Sequence, residues 1–163
     1  LRANLIDVAV VTSPFADKTG LNINVIKKLQ DIVAAGNGFS YLKDKEISLH
    51  ELVKYPLICL KNTTTTRNYL DHIFRQHNLL LRPDIELTSI NFVMPMVKNN
   101  LGIGFMQYAT TKAEIEAGNI FRVNTKEQIP PRSICAVTAS QYETPEPVQR
   151  FIDSLLEKES VNI

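Results

Sequence analysis

"PLICLKNTTTTRNYLDHIF", residues 56–74, decides the fold class of this chain. "PLICL" is a short apolar run with the composition of a buried strand. "RNYLDHIF" repeats apolar residues at helical spacing and places Leu70, Ile73 and Phe74 on one face. Four threonines and Arg67 separate the two segments. Threonine suits a helix start better than a helix interior, because branching at Cβ stiffens the side chain. The stretch therefore predicts a strand, a hydroxyl-rich junction and a helix.

The same alternation of strand and helix recurs along the chain. Ser48 and Glu51 form an S-x-x-E capping box, which predicts a short helix that ends before Pro56. Further helices are predicted after Thr88 or Ser89, over "TTKAEIEAG" (110–118), and over "TPEPVQRFIDSLLEK" (144–158) with Thr144 as cap and Pro145 at the first helical position. Strands alternating with helices indicate an α/β fold with mostly parallel sheets.

The amino-terminal part predicts strands. "IDVAVVTSPF" (6–15) is a β-branched apolar run, typical of a buried, parallel strand. "LNINVIKKLQDIVAAGNGF" (21–39) fits helical spacing in part, yet Leu21, Ile23 and Val25 also alternate as in a strand. The turn signal Gly-Asn-Gly near its end and the β-branched content favour two short strands.

Composition limits the function classes. The chain has 163 residues, a formal net charge of +1 and 44% hydrophobic residues, which suits one or two small globular lobes. Near-neutral charge gives no electrostatic footprint for nucleic acid or a membrane surface, and no apolar run has the length of a membrane span. Cys59 and Cys135 sit in apolar runs, which indicates buried thiols and a reducing cytoplasm. His72 and His77 are five residues apart, a spacing that does not form a metal pair on a helix. We predict no metal, no cofactor and no enzymatic activity.

The strand-to-helix junctions offer the clearest chemistry. In open α/β sheets, ligands bind at the carboxyl ends of strands, where helix N-termini present amides. Threonine hydroxyls, amides and Arg67 suit a carboxylate, sulfate or phosphate, and Thr88 and Ser89 occupy an equivalent junction. The simpler alternative is that one threonine caps the helix while the others face solvent. Local sequence leaves both open.

Six motifs in order resemble the effector-binding domain of LysR-type transcriptional regulators: "IDVAVVTSP", "ISLHELVKYPLICL", "TTTTRNYLDHIF", "IELTSINFVMPMVKNNLGIGFM", "EIEAGNIFRV" and "VQRFIDSLL". The resemblance implies a periplasmic-binding-protein-like fold (type 2) of two Rossmann-like lobes with an effector in the cleft. It also implies a cytoplasmic homodimer or homotetramer whose partners are a small effector and promoter DNA. Arg67 and the helix amides favour an anionic effector, and the lack of an apolar run of membrane-spanning length predicts no membrane association. DNA would be bound through a separate winged helix-turn-helix.

The resemblance also implies which residues contact the effector. They come from strand ends, from a position near the crossover and from helix starts. They are Thr12, Ser13, Ala35, Gly36, Thr64, Thr65, Thr66, Arg67, Thr88, Ser89, Phe105, Met106 and Gln107.

Two departures from the family pattern stand out. Asn100 replaces a common glycine, which the left-handed preference of asparagine tolerates. The two β–α units that begin the family's domain, and its DNA-binding domain, have no counterpart before Leu1. We therefore expect an incomplete first lobe over residues 1–37 and 138–163 and a whole second lobe over residues 38–137. Exposed strands of an incomplete lobe would favour association.

Three alternatives to a ligand-sensing regulator follow from the same fold. One is a solute-binding protein that serves transport, and another is an enzyme domain of the same architecture. The third is a fragment that binds nothing by itself. A winged helix encoded upstream of Leu1 would support the regulator, and a signal peptide would support transport.

Overall fold

A computed structural model describes residues 1–15 and 17–160. Its strands are β1 (Ala9–Thr12), β2 (Leu21–Leu29), β3 (Asp31–Gly36), β4 (Glu46–Ile47), β5 (Leu57–Leu60), β6 (Ile85–Leu87), β7 (Ile103–Gln107), β8 (Ile120–Thr125) and β9 (Arg132–Ala139). Its α-helices are α1 (Leu49–Leu52), α2 (Thr65–Gln76), α3 (Val93–Lys98), α4 (Tyr108–Glu116) and α5 (Glu146–Ser160). Short 3₁₀ helices cover Asn37–Leu42 and Ile90–Phe92.

The chain divides into two compact units. The first unit is Leu1–Leu29 with Pro131–Ile163, and the second unit is Gln30–Pro130. The predicted boundaries, after residues 37 and 137, both lie closer to the carboxyl terminus than the observed boundaries, after residues 29 and 130. The difference arises because β3 pairs with strands of the second unit, whereas β9 pairs with β1 and β2 of the first. Ala16 and residues 161–163 of the predicted first lobe lie outside the described residues.

The first unit contains an antiparallel sheet in the order β1-β9-β2. The prediction of a buried, parallel strand over residues 6–15 is wrong. β1 runs antiparallel to β9, with Val10 opposite Ala136, and the Val10 side chain is 51% exposed. A run of β-branched residues indicates that a segment is a strand, but it does not indicate which strand it pairs with or in which direction. Two strands predicted over residues 21–39 are confirmed as β2 and β3.

Helix α5 packs against β2 and buries Ile152. It begins one residue later than predicted, at Glu146. The carbonyl oxygen of Pro145 accepts hydrogen bonds from the amides of Val148 and Gln149, at 2.9 and 3.0 Å. Pro145 therefore stands at the cap position predicted for Thr144.

The second unit contains a sheet in the order β4-β8-β3-β7-β5-β6. β5 runs parallel to β6 and β7, and β4 runs parallel to β8, whereas β3 is antiparallel to both of its neighbours. Of the seven strand pairings in the described part of the chain, three are parallel and four are antiparallel, so the prediction of mostly parallel sheets is wrong. The two ends of the unit lie together, because the side-chain amide of Gln30, its first residue, donates a 3.1 Å hydrogen bond to the carbonyl oxygen of Ile129, its last residue but one. The Tyr69 hydroxyl donates to the carbonyl oxygen of the next residue, Pro130.

Apolar side chains cover both faces of this sheet. The larger cluster places the buried stripe of α2 against β3, β5 and β7, and includes Val33, Leu57, Leu70, Phe74 and Phe105. The smaller cluster places α3 on the opposite face, and includes Ile32, Ile58, Val93, Val97 and Met106. Burial on both faces fits the continuous apolar runs of these strands.

Local start and stop signals are confirmed. The Ser48 hydroxyl accepts a 3.2 Å hydrogen bond from the Glu51 amide, and the Glu51 carboxylate accepts one from the Ser48 amide at 2.7 Å. Asn78 and Asn100 adopt the left-handed conformation after α2 and α3, with φ of 58° and 61°. Gly118 does the same after α4, with φ of 74°. Each lets the chain turn out of a helix toward a strand.

Candidate functional site

Three successive strand-to-helix junctions lie at one edge of the second unit's sheet. β5, β6 and β7 are parallel, so their carboxyl ends share that edge. Each is followed by a helix, and these junctions carry the four threonines, the Thr88–Ser89 pair and Gln107. The carboxyl ends of parallel strands are where a sheet presents helix N-termini to a ligand.

The junction after β5 is closed by a threonine N-cap. Thr64 is extended, with φ −93° and ψ 146°, and its hydroxyl accepts a 3.2 Å hydrogen bond from the Arg67 amide. The same hydroxyl donates to the carbonyl oxygen of Lys61 at 2.9 Å. Thr65, the first helical residue, is exposed, and Thr66 is half-buried. Thr64 is thus a plain N-cap, and Thr65 and Thr66 are the first two residues of α2.

The Arg67 guanidinium does not face this first turn. Its side chain is 7% exposed, and it donates to the Asp71 carboxylate at 2.9 Å and to the Glu86 carboxylate at 2.6 Å. It also donates to the carbonyl oxygens of Leu60 at 3.2 Å and Leu81 at 3.1 Å. Arg67, which the family resemblance implies as an effector contact, is instead buried and paired with Asp71 and Glu86. The reason is that distant acceptors, in β6 and in the segment before it, surround the guanidinium.

Electrostatics around Arg67 favour a permanent ion pair. Burial acts against its charge, but the hydrogen bonds that Arg67 donates to Glu86 and Asp71 outweigh burial and raise the pKa of Arg67. The neighbouring Cys59 is 2% exposed, and burial raises the pKa of its thiol to about 12. Burial likewise raises the pKa of Cys135 in the first unit. Both are free thiols, and neither has the lowered pKa of a nucleophile.

The junction after β6 is also capped by a hydroxyl. Ser89 is extended, and its hydroxyl accepts a 3.4 Å hydrogen bond from the Asn91 amide at the start of a 3₁₀ helix. Ser89 is half-buried and Thr88 is exposed. The backbone pairing continues past β5 into this junction, because the Lys61 amide donates to the Leu87 carbonyl oxygen at 2.9 Å. The two hydroxyl-bearing junctions are therefore neighbours.

The junction after β7 differs from its prediction. Phe105 and Met106 are each 4% exposed, and they belong to the clusters on opposite faces of the sheet. The Phe105 ring packs edge-on against Phe74, with centroids 5.9 Å apart. Of the three residues predicted here, Gln107 alone is half-buried, and its carbonyl oxygen accepts from the hydroxyls of Thr110 and Thr111 at 2.9 and 3.2 Å. The aromatic and thioether side chains serve the core.

Ala35 and Gly36 lie at the opposite edge of the sheet. β3 begins with Asp31 beside Gln107 and ends with Gly36 beside Ile120. Because β3 is antiparallel to its neighbours, its carboxyl end points away from the three junctions. Sequence reasoning missed Asp31, a buried carboxylate at the junction edge, although an acidic residue before "IVAAG" is an unusual start for a buried strand.

Thr12 and Ser13 belong to the first unit. Thr12 ends β1 opposite Ile134, and Ser13 exchanges two 2.8 Å hydrogen bonds with the backbone of Ser133. In one of them the Ser13 hydroxyl accepts from the Ser133 amide. Both side chains are half-buried.

Within residues 1–15 and 17–160, no cluster of three or more histidine, cysteine or acidic side chains has the geometry to hold a metal ion. The helices of that same part of the chain are too short or too polar to cross a membrane. The residues at the junction edge instead offer hydroxyls, amides and helix N-termini, which are groups suited to hydrogen bonding with a small polar molecule.

Comparison with known proteins identifies the family. The LysR substrate binding domain family matches residues 1–160, so the chain belongs to this family. The HTH-type transcriptional activator CmpR of Synechocystis sp. (strain ATCC 27184 / PCC 6803 / Kazusa) is 29% identical over 108 residues. That match covers 65% of this chain and 34% of CmpR, about a third of its length.

Solved structures support the fold. The regulatory domain of CcmR from Synechocystis PCC6803, in complex with 2-PG, superposes with a TM-score of 0.79 at 18% identity. The superposition covers 97% of this chain and 76% of the CcmR chain. The effector-binding domain of QuiR in complex with shikimate superposes with a TM-score of 0.76 at 18% identity, covering 98% and 75%. The predicted α/β, periplasmic-binding-protein-like fold (type 2) is confirmed.

Proposed function

We propose that this effector-binding domain recognises a small, anionic molecule through the junction edge of the second unit's sheet, and signals its presence to a DNA-binding domain. The observation that carries the proposal is the N-terminus of α2, where the first helical residue, Thr65, is exposed and the junction adjoins the one that carries Ser89. The family match supports a regulator over a transport protein or an enzyme.

The chemistry of the α2 N-terminus favours a negative group. Twelve helical residues contribute aligned peptide dipoles, whose positive end lies at the first turn of α2. Oxygen atoms of a carboxylate, sulfate or phosphate accept hydrogen bonds from amides at such a helix start, and threonine hydroxyls add further donors. The proposal retains the predicted polar residues of the second unit's junctions and leaves Phe105, Met106, Ala35 and Gly36 to packing. The retained residues are Thr64, Thr65, Thr66, Thr88, Ser89 and Gln107.

Ligands of structural neighbours are consistent with this class of effector. CcmR was solved with 2-PG and QuiR with shikimate, both small molecules. We infer that an effector of similar size occupies this domain, and that binding shifts the populations of two conformations of the regulator. Small-angle scattering with and without the effector would reveal such a shift as a change in the radius of gyration.

Self-association in the cytoplasm is part of the proposal. Apolar side chains of the first unit face solvent, including Leu5 at 85%, Val10 at 51% and Val25 at 51% exposed. Exposed apolar surface of this kind marks interaction sites. Light scattering after size-exclusion chromatography should give twice the monomer mass or more, and a monomer at all concentrations would contradict this part of the proposal.

A ligand screen with paired variants tests the site. Thermal shift of the chain with a panel of carboxylates, phosphate esters and inorganic sulfate, including shikimate and 2-PG, should find a stabilising anion. Thr65→Ala removes one hydroxyl, whereas Thr65→Pro also removes the amide and keeps the helix, because proline fits the first helical position and Thr64 is already extended. We expect proline to weaken binding more than alanine does.

Thr19→Ala, an exposed threonine of the first unit, is the control and should bind like the unchanged chain. If Thr65→Pro binds the stabilising anion as tightly as the unchanged chain, the site lies elsewhere. If no anion of the panel stabilises the unchanged chain, the anionic effector is excluded.

A further inference from the structure

Arg67 connects four parts of the second unit through one guanidinium group. Nε donates to Asp71, one turn further along α2. Nη1 donates to the carbonyl oxygen of Leu60, the last residue of β5, and to Glu86 in the middle of β6. Nη2 donates to the carbonyl oxygen of Leu81, in the segment between α2 and β6. The planar fork of an arginine can serve such diverging acceptors, whereas an ammonium group cannot.

The backbone of the same residue closes the helix cap. The Arg67 amide is the donor that the Thr64 hydroxyl accepts, and the Thr64 hydroxyl in turn holds the Lys61 carbonyl oxygen. Lys61 continues the pairing with β6 through Leu87. One residue therefore fixes the cap of α2, the end of β5 and the strand that leads to Ser89.

The charge of this cluster is compensated. One guanidinium lies within 2.9 Å of two carboxylates, and the Glu86 side chain is 42% exposed. The cluster therefore adds no net positive charge to the junction edge. An anion bound there would be held by amides and hydroxyls, whose directions depend on how α2 is placed.

We propose that Arg67 is a positioning residue of the effector site: it does not touch the effector, but holds the first turn of α2 beside the Ser89 junction so that both face one ligand. The inference rests on the proposed function for the existence of a ligand, and on the geometry alone for the positioning. Hydrogen-bond donors that are held in place by supporting residues bind a ligand less tightly when those residues no longer hold them, even if the fold is retained.

Arg67→Lys separates positioning from folding and from charge. Lysine retains the positive charge but cannot reach the four acceptors. Affinities for shikimate and for inorganic sulfate are measured by calorimetry at a temperature where denaturation shows the variant to be folded. We expect affinity for whichever of the two probes binds the unchanged chain to fall about tenfold, the effect of one lost hydrogen bond. Arg75→Lys, exposed on the same helix, should leave it unchanged.

Amide hydrogen exchange gives a readout that needs no ligand. In the ligand-free protein, Arg67→Lys should accelerate hydrogen exchange at the amides of Lys61 and residue 67 by about tenfold or more. These amides donate to Leu87 and Thr64, at the junction that the guanidinium stabilises. The Val123 amide in β8 should exchange as before. Accelerated exchange together with unchanged affinity would overturn the proposal, and so would unchanged exchange.

Two further variants keep the test decisive if Arg67→Lys does not fold. Glu86→Ala removes one acceptor of the Arg67 guanidinium from a half-exposed strand position. We expect the same fall in affinity and the same acceleration of amide exchange, both smaller than in Arg67→Lys. Glu86→Gln preserves an acceptor oxygen for Nη1 and should restore both values. If neither probe binds the unchanged chain while exchange responds as expected, the proposed function fails for these anions. The finding that Arg67 holds the cap of α2 against β6 would still stand. If a probe binds and exchange does not respond, the positioning role alone is refuted.

Discussion

The side-chain oxygen of Asn100 accepts a 2.7 Å hydrogen bond from the backbone amide of Gly38. Asn100 itself adopts the left-handed conformation, with φ of 61°, where α3 ends. The Leu101 amide donates to the Met96 carbonyl oxygen at 3.1 Å, which completes the helix end. The backbone of Asn100 thus ends α3 and its side chain fixes the turn after β3, so the asparagine that departs from the family's glycine has a structural role.

Substitution of Asn100 should separate these two contributions. Asn100→Gly retains the left-handed backbone and loses the hydrogen bond to Gly38, so we expect a loss of about 1 kcal/mol in the free energy of unfolding. Asn100→Ala loses the bond and also strains the backbone, so we expect about 2 kcal/mol. Urea denaturation measures both. Equal losses would show that the backbone conformation contributes nothing.

Thr64→Ala should destabilise the second unit by about 1 kcal/mol, because it removes the N-cap of α2. Thr64→Ser retains an acceptor oxygen for the Arg67 amide and should recover most of the loss. Thr63→Ala changes an exposed neighbour outside the cap and serves as the control. Denaturation curves of the three variants check the prediction, and a loss at Thr63 as large as at Thr64 would contradict it.

Neither thiol should react in the folded protein. Cys59 and Cys135 are each 2% exposed, and burial raises the pKa of both thiols. At neutral pH both remain protonated, and the thiolate is the reactive form. Ellman's reagent should modify no thiol in the native protein and two in denaturant. Fast modification under native conditions would show that one of the thiols becomes exposed.

Stability should fall at alkaline pH through Cys59. Its thiol has a pKa of about 12 in the folded protein against 9.0 for an unperturbed thiol. The folded state therefore holds its proton more tightly, so this stabilisation is complete below pH 9 and is lost as pH rises toward 12. Relative to Cys59→Val, the unchanged chain should lose about 2 kcal/mol between pH 8 and pH 10.5. If the free energy of unfolding fell equally with pH in the unchanged chain and in Cys59→Val, the raised pKa of Cys59 would be contradicted.

Signals that act within one turn of the chain were predictable from sequence. The Ser48–Glu51 capping box and the left-handed Asn78 depend on residues three or four positions apart, and the structure contains both. The strand–threonine–helix order around Arg67 was likewise readable, because apolar period and hydroxyl position coincide there.

Features set by distant partners were not predictable. Asp71 alone could be anticipated as a partner of Arg67, whereas Leu81 and Glu86 bury the guanidinium and are 14 and 19 residues away. Gly36 was expected near the effector, but the antiparallel direction of β3 depends on its pairing with β7 and β8. A single sequence records strand propensity and not strand direction, and so the junction residues were predictable while the far end of β3 was not.

The hydrogen bond from Gln30 to Ile129 joins the two ends of a 101-residue segment, Gln30–Pro130. A polypeptide whose termini adjoin can be closed by a short linker and reopened at another surface loop. The second unit is therefore suited to circular permutation, with new termini placed in the exposed turn around Asp44, remote in sequence from the threonine junction. Such a rearranged gene would carry the whole α2 junction on a single, independently produced module.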